Sequence, residues 1–113
     1  MDRKSRRRFS DGDARGANWE AACFHSQQCA EKYLKAFLQE RGIKFEKIHN
    51  LIRLLQQCSQ VDGTFELIRV HLETLNTYAV DIRYPRVIAT KEEARDALKT
   101  VKDIRAFIRA KLK

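Results

Sequence analysis

The sequence predicts an all-α protein, an antiparallel up-and-down bundle of four main helices. Three observations carry this. Apolar residues recur at steps of three and four along four separate segments, the spacing that gathers them on one face of a helix. Only four glycines and one proline interrupt 113 residues, and long stretches consist of Ala, Leu, Glu, Lys, Gln and Arg, which lose little rotamer freedom in a helix. The connections between segments are short, which makes successive helices antiparallel neighbours. A chain of this length with 43% hydrophobic residues can bury a single core without metal or disulfide staples.

Residues 1–16 stand apart. They have few apolar positions, no periodicity and an arginine cluster, "DRKSRRRF" at 2–9, so they cannot bury enough surface to offset their ordering entropy. They read as a basic, mobile tail, either simply solvated or an RNA-binding arm, ahead of a helical domain over 17–113.

From Asn18 to Arg41 the stripe Trp19, Cys23, Ser26, Ala30, Tyr33, Leu34, Phe37 and Leu38 predicts the first helix, with Gly42 as its C-terminal stop. Glu31 and Lys35 stand four apart in the favourable order for an ion pair. After the linker "GIKFEKI", Leu51, Ile52, Leu54, Leu55 and Cys58 predict a shorter second helix, capped by His49 or Asn50 and ended by Asp62 and Gly63. Thr64 is placed to cap a third helix, whose stripe runs through Leu67 or Ile68, His71, Leu75, Tyr78 and Ile82. Pro85 pushes Tyr84 out of the α region, so this helix is expected to stop near Arg83. Thr90 with Glu93 three residues on forms a capping box, and Ala94, Ala97, Leu98, Val101, Ile104, Ile108 and Leu112 predict a final helix.

Charge narrows the partners. The chain carries a net +8, concentrated in the N-terminal cluster and in Lys91 to Lys113, which favours an anionic partner such as nucleic acid or nucleotide. No apolar run is long enough to cross a membrane and no signal sequence is evident, so a cytoplasmic protein without membrane contact is expected. Three cysteines without framework spacing are expected to be reduced and buried. Cys23, His25 and Cys29 point in different directions on a helix, so no metal site is expected. No phosphate-cradling glycine loop, nucleophile elbow or paired-carboxylate arrangement is present, and no cofactor is expected.

Three blocks carry a family resemblance: "ACFHSQQCAEKYLKAFL" (22–38), "HNLIRLL" (49–55) and "RYP" (83–85). In order and spacing they resemble the HEPN domain family, over roughly residues 18–112. The resemblance implies an all-α bundle that commonly dimerises and often accompanies a minimal nucleotidyltransferase in toxin–antitoxin or related two-component systems. Some members are metal-independent ribonucleases, with an Arg followed four to six residues later by a His; others bind nucleotide or RNA without that motif. This chain departs twice. Members usually open with an additional amphipathic helix before the block at Ala22, and here the 21 residues that precede it are mostly polar or basic, so that helix is expected to be missing or shortened. The positions after Arg83 where the motif would place His hold Ile88, Ala89 and Thr90.

Arg83 is therefore read three ways: as a complement to a helix C-terminus, as an anion contact together with Tyr84, or as half of a catalytic pair. Arginine cannot itself transfer the proton. His71, twelve residues back, lies about 18 Å away along the same predicted helix, and its place above Leu75 and Tyr78 suggests a hydrogen-bonded core position. Candidate ligand contacts are Arg83, Tyr84, His25, Gln28, Lys32 and His49. His25, with Gln28, Cys29 and Lys32, forms a polar strip beside the core stripe that equally suits a helix or dimer contact. His25 is the second candidate catalytic group. His49 either fixes the linker or touches ligand. The expected role is a homodimeric nucleotide- or RNA-binding partner of a minimal nucleotidyltransferase. The alternatives are an endoribonuclease using Arg83 with a histidine from elsewhere, or an oligomerisation module alone.

Overall fold

The computed structural model describes residues 11–45, 47, 49–78 and 89–113, with side chains from Asn18 onward. Among the described residues the chain is all-α: α1 (Asp11–Glu40), α2 (Leu51–Val61), a 3-10 helix (Gly63–Ile68), α3 (Arg69–Asn76) and α4 (Lys91–Arg109). The all-α bundle is as the sequence predicts.

The described part of α1 runs from Asp11, upstream of the expected Asn18, so residues 11–16 are helical where the composition suggested a tail. The glycines at 12 and 16 cost only about 1 kcal/mol each against Ala. Its end is the predicted glycine stop. Gly42 takes φ 72°, its N–H donates to Gln39 O at 3.0 Å, and Ile43 N–H donates to Leu38 O at 2.9 Å. That pair of bonds is a Schellman cap.

The third predicted helix is broken in two. Asp62, not Thr64, caps the 3-10 turn, its Oδ1 accepting Thr64 N–H at 3.0 Å and the Thr64 hydroxyl at 2.6 Å. The α-helix proper starts only at Arg69. Of the two stripe alternatives, Ile68 is buried and Leu67 is 74% exposed. The capping box of α4 is present as predicted, Thr90 and Glu93 exchanging bonds of 3.0 and 3.1 Å. Thr100 replaces Leu98 in the buried stripe of α4, and Leu98 is 49% exposed.

The core lies between α1 and α4, the pair most extensively packed together, with α2 and α3 closing it. Phe65 is fully buried in it, toward the end that Lys111 covers. Its ring lies 4.5 Å from Phe37 and 5.4 Å from Phe107, distances at which tilted and edge-on rings attract. Lys111 closes the lower end, with Nζ 4.8 Å from the Phe107 ring and 2.7 Å from Asp62 Oδ2. At the other end Glu20 of α1 accepts the Ala89 N–H at 2.8 Å, which pins the entry to α4. No helix among the described residues is long and apolar enough to cross a membrane.

Candidate functional site

The α1 stripe has a polar edge that faces the start of α2. Gln27 and Glu31, one turn apart, are both buried, so each must find partners or leave polar atoms unsatisfied. Gln27 donates to His49 O at 2.9 Å. Gln28 donates to Gln27 Oε1 at 2.8 Å and reaches Glu31 Oε1 at 3.5 Å. Lys35 donates to Glu31 Oε2 at 2.8 Å, with its ammonium 5.6 Å from the Phe45 ring centre.

His49 completes the cluster. Its Nδ1 lies 3.0 and 3.1 Å from the two Glu31 oxygens. Glu31 is buried while the imidazole is 59% exposed, so the carboxylate grips one nitrogen from below and leaves the rest of the ring toward solvent. Nε2 makes no hydrogen bond among the described residues. Burial by itself would raise the Glu31 pKa; hydrogen bonds from Lys35 and His49, with their charges, outweigh it and hold the carboxyl below its ordinary value. Glu31 is thus an anion that fixes the orientation of an exposed histidine.

α3 anchors the same corner. Asn50 caps α2, accepting from Ile52 and Arg53 N–H at 2.9 and 3.3 Å. Asn76, at the end of α3, accepts the Leu51 N–H at 2.8 Å. Between the two capping alternatives left by the sequence, Asn50 takes the cap and His49 takes the carboxylate.

The predicted site residues separate. Gln28 and His49 meet in the cluster. His25 and Lys32 lie exposed on α1 and form no hydrogen bond or ion pair among the described residues; His25 has only the Phe24 ring beside it, at 5.9 Å. Arg83 and Tyr84 lie outside the described residues. His71 is not enclosed in the core. Its Nε2 stands 3.7 Å from Asp103 Oδ2, and its Nδ1 is buried without a partner in the described structure.

Gln27, Glu31 and Asn76 escaped sequence reasoning. The signal for the first two was a pair of polar residues one turn apart at the border of an apolar stripe; Glu31 reads as an exposed partner of Lys35 until the position of His49 is known. Asn76 left no local signal, since its partners come from α2. No group of three His, Cys, Asp or Glu among the described residues is placed to hold a metal.

No curated protein and no solved structure gave a match in sequence or fold comparisons. The model of the HEPN domain matches residues 4–111, a span that takes in part of the N-terminal segment as well as every element described above. With the four-helix bundle and this match over nearly its whole length, the chain belongs to the HEPN domain family.

Proposed function

We propose that the protein is a nucleotide- or RNA-binding HEPN subunit, a homodimer that partners a minimal nucleotidyltransferase in a toxin–antitoxin-like system. The observation that carries the reading is the HEPN match over residues 4–111. A net charge of +8 supports an anionic ligand. The lack of histidine at Ile88, Ala89 and Thr90 supports binding over cleavage. Arg83 and Tyr84, with His49, Gln28, His25 and Lys32, are the proposed ligand contacts.

One observation favours the second reading, a metal-independent endoribonuclease. A histidine held through Nδ1 by a buried anionic carboxylate, with the rest of its ring exposed, is oriented as a general base is oriented. His49 would accept the 2′-hydroxyl proton and Arg83 would balance phosphate charge.

RNA cleavage by the purified protein in EDTA separates the two. The binding subunit leaves RNA intact and retains it on the protein. Cleavage abolished by both Arg83→Ala and His49→Ala, each still folded, establishes the ribonuclease instead.

A further inference from the structure

α4 sorts its charges into two rows. At 3.6 residues per turn, Lys91, Arg95, Lys99, Lys102, Arg105 and Arg109 fall within an arc of about 120°, and Glu92, Asp96 and Asp103 fall on the next arc. All six basic residues are exposed. Asp103 faces His71 of α3, so the acidic row lies on the α3 flank. The buried stripe of Ala94, Ala97, Thr100, Ile104 and Ile108 clamps the opposite face to the core, which holds the basic row rigidly outward.

None of the six cations is paired with a carboxylate among the described residues. Successive members are three or four residues apart, the spacing at which like charges on a helix repel. Glu92, Asp96 and Asp103 stand at that same spacing from Arg95 and Lys99 and relieve part of the repulsion; Lys91, Lys102, Arg105 and Arg109 have no carboxylate so placed on α4, and an external anion would relieve them. The row is also long: 18 steps at 1.5 Å give about 27 Å, the length of roughly eight stacked nucleotides at about 3.4 Å per step.

We propose that this row is the track for the phosphate backbone of one RNA strand. The inference rests on the RNA-binding reading above and adds a further surface, on α4, to the contacts that reading names. A single strand fits because the adjacent acidic row of Glu92, Asp96 and Asp103 repels a second backbone. A bilayer fits poorly, since Leu98, 49% exposed, is the one large apolar side chain in the basic arc and offers little to insert.

The test is fluorescence anisotropy of a labelled 12-nucleotide single-stranded RNA with the full chain, across a salt series. Each phosphate contact to a single strand contributes about 0.7 to the slope of log affinity against log salt. The variant R95Q/K99Q/K102Q/R105Q, with wild-type helical content by circular dichroism, is expected to lose about 3 from that slope; R3Q/R6Q/R7Q/R8Q, with the same charge removed from the N-terminal cluster, is expected to lose less. Two half-variants, R95Q/K99Q and K102Q/R105Q, are each expected to lose about 1.4, which keeps the test decisive if the fourfold variant unfolds. A wild-type slope in the α4 variants overturns the track while the RNA-binding reading stands. No RNA binding by the wild type overturns both. Vesicles of phosphatidylglycerol and phosphatidylcholine that bind through the α4 row, while RNA binding is untouched by the same variants, overturn the track in favour of a lipid surface.

Discussion

Glu31 of α1 and His49 at the entrance of α2 are joined by a carboxylate–imidazole contact in which Nδ1 lies 3.0 and 3.1 Å from the two oxygens. The residues are far apart in sequence, so this contact fixes how α2 leaves the linker and where the exposed imidazole stands. It also sets a stability cost. Glu31→Ala removes the common acceptor of Gln28, Lys35 and His49, and because the imidazole is 59% exposed and can turn to water, the loss is expected to be about 1 kcal/mol. Urea denaturation measures it; a loss below about 0.5 kcal/mol, the scale of ordinary surface changes, would mean the contact is incidental.

Acid should weaken the fold in two steps. Glu31 has a folded-state pKa below its ordinary 4.5, so its contribution is complete above 4.5 and is lost as the pH falls through the lower folded value. Asp62 is pulled from 3.8 down to about 2 by the Lys111 and Thr64 hydrogen bonds, and its contribution disappears between those values. Melting temperatures between pH 7 and 2 should decline below about pH 4.5, and Glu31→Gln should flatten the upper part of that decline.

The aromatic centre predicts the largest loss from a single truncation. Phe65 is fully buried between Phe37 and Phe107, and it is carried by a 3-10 turn too short to hold itself. Phe65→Ala should cost about 3–5 kcal/mol. Asn50→Ala, which removes a cap, should cost about 1 kcal/mol. Denaturant midpoints for the two variants should fall in that order.

The helices were legible in the sequence wherever one local signal decided the outcome. Gly42 and the Thr90–Glu93 box are decided within a few residues, and both stand where the sequence puts them. The third helix was misjudged because two capping residues, Asp62 and Thr64, competed within three positions. Lys111, from the far end of the chain, grips Asp62 and the Thr64 hydroxyl at 2.7 Å each, a contact that no local pattern reveals. Glu31 failed for the same reason. Its burial depends on α2, and an i,i+4 pair with Lys35 looks alike on an open or a covered face.

Thiol reactivity separates the cysteines. Burial pushes the Cys58 thiol up to about 12, and its Sγ sits 3.8 Å from Leu34 O. It should resist alkylation by iodoacetamide at pH 8 until the protein unfolds, whereas half-buried Cys29 should be modified in the native state. Mass spectrometry of the labelled protein locates the sites; prompt labelling of Cys58 would contradict the packing of α2 on α1.

Equilibrium binding of single-stranded RNA and of ATP to the intact protein in EDTA, with the RNA recovered afterwards on a gel, decides whether this HEPN chain binds nucleotide or RNA without cutting it, as proposed. Saturable binding that weakens with salt is expected, with the RNA recovered at full length. Failure of the protein to bind either ligand, or recovery of the RNA as fragments, would contradict the proposal.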